Sequence, residues 1–574
     1  MRLSLVKSKN STQFYVIKSY RDKNGKNTSK IIEKLGNLEQ VTIKANGKDP
    51  VEWAKEYITM LNHEEKEVSM KVIAEYSPTK IINPNTQVLF NGGYIFLQDI
   101  YYDLKLDKIC KNISKEYKFE FDLNSILSYL IYGRVIFPSS KKATKELSSR
   151  FIEQPNFDLH HIYRALEVLS KESDGIQSQL YKNSLNICDR NDKILFYDCT
   201  NFFFEIEQEE GLKKYGISKE HRPNPIVQMG LFMDGNGIPL AFSINEGNTN
   251  EQVTLKPLEE KIISDFELSK FVVCTDAGLA SNANRKFNDK NDRAFITTQS
   301  VKKLKKHLME WALSPIGWKL SGSNTTYDIS SFSDSDEVKY KDATFYKERW
   351  INENGIEQKM IVSYSVKYRK YQKQIRDSQI ERAEKTIATN TSKLNKHGNN
   401  DYKRFIKSYT ITEDGEVAKK KAYFINQEVI AKEEKFDGYY AVCTNLEDSI
   451  SDIIKINQRR WEIEESFRIM KSEFKARPVY LKRDDRIKAH FITCFISLMI
   501  YRLLEKKLDE KYTCNEIVEG LRNMNFMELS GEGYIPAYVR NEFTDDLHKV
   551  FKFRTDYQIV KTKEMKRIFK FTKT

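Results

Sequence analysis

The sequence predicts a mixed α/β fold in which helices pack against a sheet. Two short apolar runs, Lys193–Tyr197 and Phe271–Thr275, have the composition of buried strands, and an aspartate directly follows each of them. The segment Asp234–Gly237 between them is a strong hairpin signal. Helical spacing of apolar residues follows from Val253 to Ile263. Strands and helices therefore alternate in this part of the chain, as they do in α/β sheets.

Further periodic segments complete the predicted sheet. Strand-like runs flank the hairpin signal at Ile226–Met233 and Ile238–Asn245. A helical stretch, Ser281–Asn288, and another strand, Arg293–Thr298, come after the second aspartate. The predicted order is β-β-β-α-β-α-β, which is typical of a sheet with helices packed on it.

Changes in composition and periodicity divide the chain into six regions. The strand-like runs Phe14–Tyr20 and Ser29–Leu35 flank a turn signal at Asp22–Gly25. The helical pattern from residue 51 fits a DNA-binding unit or a plain helical bundle. The predicted regions are 1–50, a basic β-hairpin region; 51–190, a helical domain with a predicted role in DNA binding; 191–300, the first part of the α/β core; 301–450, a β-rich insertion with a basic helix near 367–385; 451–510, the second part of the core, with helical periodicity from 453 through 474; and 511–574, a basic C-terminal region.

Composition narrows the class of protein. The chain has 574 residues, of which 40% are hydrophobic, so it predicts several folded units rather than disorder. A net charge of +13 favours a polyanionic partner, although a solvated charged surface gives the same balance. Seven scattered cysteines without a CxxC pair argue against a disulfide framework and a zinc site.

Targeting and membrane signals are weak in this sequence. The start of the chain has no apolar run of the length of a signal peptide. The stretch Phe491–Leu504 is shorter than the ~20 residues of a membrane span and predicts a buried helix. We therefore expect a cytoplasmic protein that does not associate with a membrane.

Two aspartates are candidates for a reactive site. Asp198 and Asp276 are predicted to lie at the carboxyl ends of two strands of one sheet, where open α/β sheets place their active groups. For either residue alone, a solvated turn aspartate is the alternative. Like charges that converge raise each other's pKa unless a cation neutralises them. Two such carboxylates side by side therefore indicate a site for a divalent metal.

A third carboxylate, Glu464, lies in the later helical stretch. On a helical wheel at ~100° per residue, Arg460, Arg468, Lys471 and Lys475 fall within about 40° of it. A charged face beside an apolar stripe is also the ordinary appearance of a surface helix. The grouping of one carboxylate with four side chains that bind phosphate, beside a sheet with two more carboxylates, favours a functional site.

Three blocks of sequence carry a resemblance to a known family. They are Tyr197-Asp198-Cys199-Thr200, Thr275-Asp276-Ala277-Gly278, and the helical block with Arg460, Glu464 and Lys471. These blocks resemble the catalytic blocks of bacterial insertion-sequence DDE transposases, in the subgroup with a Tyr-Arg-Glu-Lys signature and a β-rich insertion before the glutamate. The acids are 78 and 188 residues apart, which leaves room for that insertion. One residue departs from the signature, since Asn457 stands at the tyrosine position.

The resemblance implies an RNase H-like mixed-sheet core, interrupted by the β-rich insertion, with an N-terminal β-hairpin and helical region and a helical C-terminal region. It implies a DNA transposase that binds the terminal inverted repeats of its insertion sequence and catalyses strand cleavage and strand transfer. Asp198, Asp276 and Glu464 would be catalytic and would bind two Mg²⁺ ions, with Mn²⁺ as a substitute. The implied partners are terminal-repeat DNA, target DNA and a second copy of the chain in a homodimeric synaptic complex. The implied DNA-binding residues are Arg460, Lys471, Arg459, Arg468, Lys475 and Asn457.

Two other functions fit the same residues. One is an RNase H-like, metal-dependent nuclease that cuts DNA without joining it. The other is a non-catalytic DNA-binding derivative of such an enzyme. The presence of all three carboxylates favours a catalytic protein.

Overall fold

The structure is a computed structural model of the chain, and it describes all residues except 9–10, 22–25, 71, 73–76, 321–322, 324, 390–400 and 412–419. The predicted turn at Asp22–Gly25 lies outside the described residues. The described chain forms two compact units. One comprises residues 1–86 with 529–533, and the other comprises residues 87–528 with 534–574.

The first unit contains a small antiparallel sheet and two helices. Its elements are β1 (Arg2–Ser8), β2 (Ser11–Arg21), β3 (Asn27–Asn37), α1 (Leu38–Ala45) and α2 (Pro50–Met70). The two predicted strands of this region are confirmed as β2 and β3, which pair with each other, and β1 pairs with the other edge of β2. Phe14 and Val16 are two residues apart on β2, so they share one face and are buried in a cluster with Leu35.

The second unit begins with a short strand and a run of helices. These elements are β4 (Leu89–Asn91), α3 (Tyr94–Asp103), α4 (Leu106–Glu116), α5 (Leu123–Ile136), α6 (Lys141–Ser148), α7 (Leu159–Lys171) and α8 (Ser173–Ser184). Helices such as α5 and α7 confirm the helical pattern predicted for residues 51–190. Side-chain caps define several helix starts, such as Asp122 for α5 and Ser140 for α6.

The predicted strand and helix succession is confirmed in the large sheet. Its elements are β5 (Ile194–Phe203), β6 (Ile226–Asp234), β7 (Pro239–Glu246), α9 (Leu255–Asp265), β8 (Val272–Thr275), α10 (Asn282–Asn288) and β9 (Ala294–Gln299). β5, β6 and β7 are antiparallel neighbours, while β8 and β9 run parallel to β5. The described strands of this sheet number ten, in the order β11-β10-β12-β13-β16-β9-β8-β5-β6-β7.

The region predicted as a β-rich insertion extends this same sheet. Its elements are α11 (Lys306–Leu313), β10 (Trp318–Leu320), β11 (Thr326–Tyr327), α12 (Asp334–Lys339), β12 (Phe345–Glu353), β13 (Ile356–Tyr364), α13 (Val366–Thr389), β14 (Ile406–Ile411), β15 (Lys420–Ile425), α14 (Gln427–Glu434) and β16 (Tyr439–Thr444). β16 joins β13 to β9 by antiparallel pairing on both edges. β14 and β15 form a separate two-stranded sheet.

The later helices differ from the prediction at one point. The periodicity predicts one helix over residues 453–474, whereas the structure has α15 (Ile450–Gln458) and α16 (Trp461–Ser472), with Arg459 and Arg460 between them. The chain changes direction at the two arginines. Each of the two helices nevertheless buries its own apolar face. This break sets where the charged residues of α16 lie.

The C-terminal part contains α17 (Asp484–Lys507), α18 (Cys514–Asn523), β17 (Asn525–Leu529), β18 (Gly533–Pro536), α19 (Glu542–Phe551), β19 (Val560–Lys561) and α20 (Thr562–Phe571). Among the described residues, α17 is the helix whose length and apolar composition would allow it to cross a membrane. However, 94% of its most apolar stretch is buried inside the structure. This burial confirms the prediction of a core helix for Phe491–Leu504. The basic C-terminal segment is folded rather than extended, since Met565 and Ile568 of α20 are buried.

Candidate active site

Asp198 lies within β5 rather than at its end. The sequence predicts a strand that stops at Tyr197, but β5 continues to Phe203 because its antiparallel pairing with β6 runs on to Ile226. The parallel pairing with β8 stops earlier, at Phe196 opposite Cys274. Asp198 therefore occupies the point where β5 loses its parallel neighbour, and its side chain is half-buried.

Asp276 follows the last residue of β8. The pairing of Phe196 with Cys274, continued by two residues, places Asp276 beside Asp198 on adjacent strands, which are about 5 Å apart. The Asp276 carboxylate accepts hydrogen bonds from the backbone N–H groups of Gly278, at 2.9 Å, and Leu279, at 3.1 Å. This turn fixes one carboxylate oxygen and leaves the other without a backbone donor among the described residues.

The apolar face of the sheet directs α15 towards these aspartates. Phe196 and Cys274 share a face with Asp198 and Asp276, because side chains alternate along a strand. Ile453 of α15 packs in the same buried cluster as Phe196 and Cys274. The chain therefore leaves α15 on the aspartate side of the sheet, and the break before α16 follows there.

Arg460 pairs with Glu464 and is influenced electrostatically by the two aspartates. Its guanidinium Nη2 is 3.1 Å from Oε1 of Glu464. Burial disfavours the charged form of Arg460, yet the pKa of its guanidinium is raised, since Glu464, Tyr440, Asp198 and Asp276 all stabilise the cation. One half-buried arginine thus interacts electrostatically with carboxylates from β5, from the end of β8 and from α16.

The carboxylates are not close enough to form a single tight cluster. Among the described residues, one group of possible metal ligands has all its ligand atoms within 4.8 Å of one another. It consists of Asp158, His160 and His161. In that group the backbone N–H of Asp158 donates to Nδ1 of His161, at 3.1 Å, as part of the cap of α7. The predicted triad is more widely spread, with the Glu464 side chain 56% exposed and Arg460 among the three acids.

The local charges change the protonation of Asp198. Burial raises the pKa of Asp198 to about 6, and the Asp276 carboxylate acts in the same direction. Lys219, the backbone N–H of Cys199 and Arg460 oppose this effect. Two neighbouring carboxylates in a half-buried position are therefore the dominant electrostatic feature of this edge of the sheet.

Lys219 is a site residue that the sequence-based prediction omitted. Its Nζ donates to the carbonyl oxygen of Cys199 and lies 3.3 Å from Glu251 Oε1. The Asp198 carboxylate raises its pKa against the effect of burial. The stretch from Gly216 to Arg222, which contains Lys219, is polar and rich in turn residues, and this composition gave no indication that the loop folds back on β5.

Lys471 is brought to the same edge of the sheet. Its Nζ is 3.3 Å from Glu220 Oε1 and 5.5 Å from the centre of the Phe202 ring. Burial lowers the pKa of Lys471 to about 8, and the nearby Lys219 acts in the same direction. Arg460, Lys471 and Lys219 thus surround Asp198 with positive charge.

The other predicted DNA-binding residues are placed differently. Arg459 pairs with Glu462, at 2.8 Å, and the exposed Arg468 lies 3.4 Å from Glu465. Lys475 is exposed but lies beyond the end of α16 with φ of 45°, so its predicted position on the helical wheel is wrong.

Asn457 is buried and already has partners in the fold. It is 7% exposed, its Nδ2 donates to the Tyr440 hydroxyl at 3.0 Å, and the thiol of Cys274 donates to its Oδ1 at 3.7 Å. These bonds join α15 to β16 and β8. The position of the signature tyrosine is therefore occupied by an amide that links helix and sheet.

A cleft of about 340 Å³ lies beside Arg460 and Glu464. Tyr368, Tyr440 and Trp461 contribute aromatic walls to it. Aromatic faces beside basic side chains are typical of surfaces that contact single-stranded nucleic acid. The cleft lies between α13 and β16 of the inserted region and the start of α16.

One family model matches the part of the chain that contains α16. The family model described as the transposase DDE domain matches residues 356–500, a stretch that contains Glu464 and begins after Asp198 and Asp276. No curated protein matched the chain. Among solved structures, the cryo-EM structure of a piggyBac transposase synaptic complex with hairpin DNA is similar over 83% of this chain and 84% of that chain, at 8% identity and a TM-score of 0.35. The family match covers 145 of the 574 residues, about a quarter of the chain.

Proposed function

We propose that this chain is a DNA transposase that binds the terminal inverted repeats of its element and catalyses strand cleavage and strand transfer through Asp198, Asp276 and Glu464. The observation that carries the proposal is the placement of Asp198 and Asp276 beside each other on adjacent strands, next to Arg460, which pairs with Glu464 of α16 at 3.1 Å. The transposase DDE domain match over residues 356–500 gives independent support. The catalytic core would be RNase H-like, with the ten-stranded sheet including its inserted strands.

The donor chemistry of the three carboxylates suits a hard divalent cation, although their ligand atoms do not all lie within 4.8 Å of one another. Their donor atoms are oxygens only, which suits Mg²⁺ or Mn²⁺ rather than zinc. Asp276 keeps one carboxylate oxygen without a backbone donor, and Glu464 is exposed on the surface of α16. Asp198, Asp276 and Glu464 would hold two such ions, which when bound activate water and stabilise the leaving oxygen of a phosphodiester.

The basic residues would hold the DNA strand. Arg460 lies among the acids and can form charge-assisted hydrogen bonds with a phosphate, while Lys471 and Lys219 add positive charge on the other side of Asp198. Backbone contacts of this kind position a strand without reading its sequence. DNA is thus the proposed partner, in a cytoplasmic homodimer that brings two element ends together.

The test uses conservative replacements of each carboxylate. Asp198→Asn, Asp276→Asn and Glu464→Gln are expected to abolish Mg²⁺-dependent cleavage of a duplex that carries the element's end, while the duplex still binds. Glu260→Gln, at an exposed position on α9, is the matched control and should cleave like the wild type. Cleavage retained in any of the three variants would remove the site assignment.

A second assay separates transposition from simple cutting. Pre-cut element ends with free 3′-hydroxyl groups are incubated with a target plasmid and Mg²⁺. Joined products are expected from the wild type and absent from the Asp198→Asn variant. Cleavage without joining would instead indicate the nuclease, and binding without either reaction would indicate the non-catalytic derivative.

A further inference from the structure

A second basic cleft of about 680 Å³ lies in the larger unit, between the end of α5, the start of α6 and the segment that follows α16. Its lining includes Arg134, Lys141, Lys142, Lys475 and Arg477, and it contains no acidic residue. A cleft with this many cations and no carboxylate concentrates positive potential.

Lys141 has no counter-charge in the described structure. It is 5% exposed, and its Nζ has no hydrogen-bond partner and no ion pair among the described residues. Burial, together with the nearby Arg134, lowers the pKa of Lys141 to about 7. An unpaired buried ammonium group is destabilising, because it loses its hydration without gaining a partner. The cleft therefore contains a donor whose partner is missing from the protein.

Arg134 is a second cation of the cleft with an unpartnered donor, and it also links two walls of the cleft by hydrogen bonds. Its Nη1 donates to the carbonyl oxygen of Phe474 at 3.0 Å, and its Nη2 donates to that of Ser139 at 3.2 Å. Its buried Nε has no partner among the described residues. The guanidinium thus links the chain after α16 to the start of α6 and still has one donor to offer.

The start of α6 adds a further electropositive feature. Ser140 caps this eight-residue helix by accepting from the backbone N–H of Ala143, at 3.2 Å. The first amides of a helix lack partners within the helix and favour an anion. Lys141 and Lys142 are the first two residues of α6, and both line the cleft.

The cleft is connected to the candidate active site through Glu220. One oxygen of its carboxylate lies 3.3 Å from Lys471, and the other pairs with Arg477 of the cleft. Tyr480, which is exposed, lines the cleft beside these residues. Basic and aromatic side chains therefore continue from the carboxylates of the active site to Lys141.

We propose that this cleft binds a backbone phosphate of the DNA strand that enters the candidate active site, with Lys141 as its central ligand. The inference rests on the proposed function and extends it to a second phosphate site. The bound phosphate provides the missing counter-charge for Lys141 and accepts from Arg134 and the α6 amides. Tyr480 offers a ring for the adjoining sugar or base.

The experiment measures how the full chain binds a fluorescein-labelled DNA duplex by anisotropy over a range of NaCl concentrations. Lys141→Met is expected to weaken binding about tenfold at low salt, because a charge-assisted hydrogen bond is lost. The slope of log affinity against log salt should fall by about one. Lys142→Met, at an exposed position in the same cleft, should also lower the slope, and it tests the site independently of the buried lysine.

Thermal unfolding of the same variants separates binding from structure. Lys347 is an equally buried lysine whose Nζ donates to the carbonyl oxygens of Trp311 and Ser314, at 3.0 and 2.6 Å. Lys347→Met should lower the unfolding temperature, because those acceptors lose their donor. Lys141→Met should leave it unchanged or raise it, because an unpaired charge is removed. A lower unfolding temperature for Lys141→Met with unchanged DNA binding would show a structural lysine and overturn the proposal.

Other outcomes are also decisive. Unchanged affinity and salt slope in both Lys141→Met and Lys142→Met would overturn the second phosphate site while leaving the active-site assignment intact. If inorganic phosphate stabilises the wild type but not Lys141→Met, and DNA binding is unchanged, the cleft binds a free phosphate compound instead. Failure of the wild type to bind the duplex at all would refute the proposed function itself.

Discussion

Replacing Glu259 by glutamine is expected to stabilise the fold at neutral and alkaline pH. Glu259 lies on α9 and is completely buried. Its Oε1 accepts from Nδ2 of Asn288 at 2.8 Å, while its Oε2 and the Oδ1 of Asn288 have no partners among the described residues. A proton on Oε2, or the amide of glutamine, can supply a donor where the ionised carboxylate has none.

The expected size follows from the pKa of this carboxyl. Burial raises the pKa of Glu259 from its ordinary 4.5 to about 8, against the hydrogen bond from Asn288. Below pH 4.5 the group is protonated in both the folded and the unfolded chain, and it has no pH-dependent effect. Between pH 4.5 and 8 the unfolded chain loses the proton first, so stability falls as pH rises. At about 1.4 kcal/mol per pKa unit, the wild type loses up to about 5 kcal/mol by pH 8.

The assay compares urea unfolding of the wild type and Glu259→Gln at pH 5 and pH 8. The variant's advantage in the free energy of unfolding should be small at pH 5 and approach about 4 to 5 kcal/mol at pH 8. Glu260→Gln, at the exposed neighbouring position, should change stability by less than about 0.5 kcal/mol at either pH. An advantage that does not grow with pH, or a less stable variant at pH 8, would refute the reasoning.

Two further replacements test how α16 is held in place. Gly237→Ala should lower the free energy of unfolding by about 1–3 kcal/mol, because φ is +77° and the new Cβ would lie 1.9 Å from Oε2 of Glu462. Gly317→Ala is the control, because Gly317 has a φ of +86° but no described atom within 4 Å of the new Cβ. In the same urea assay it should show only the smaller cost of backbone strain. Arg502→Met should cost about 3–5 kcal/mol, since it leaves Glu505, now 2.6 Å from Nη1 of Arg502, as an unpaired buried charge. Circular dichroism during urea unfolding measures this loss, and a change below about 1 kcal/mol would show that the pair is not needed.

Local patterns in the sequence were sufficient to predict most of the strands and helices. Alternating and continuous apolar runs predicted β5 to β9 with errors of a few residues, because burial on a sheet selects such runs directly. The predicted end of β5 is the exception. The polar Asp198 suggested a strand end, but pairing with β6 continues the strand past it to Phe203. Strand length depends on the partner strand, and the partner is distant in sequence.

The helical wheel was a less reliable guide to the charged residues. It treated residues 453–474 as one helix, so it could not place the break at Arg459 and Arg460 or the left-handed turn at Lys475. The pairing of Arg460 with Glu464 survives, because the backbone of Arg460 is itself close to helical at the start of α16. Spacing along a helix is thus informative only within the segment that the tertiary fold keeps helical.

The sequence by itself determined the order of the strands and helices from β5 to β9 and the choice of three acids as candidates, since apolar periodicity and residue type are local properties of the chain. The tertiary structure alone decided which cations surround Asp198 and which cation has no partner. Lys219, from the loop after β5, and Arg460 and Lys471, from α16 and its start, converge on Asp198, while Lys141 is buried without a carboxylate partner among the described residues. Charge interactions depend on distance and burial, and both are fixed only when segments remote in sequence pack together.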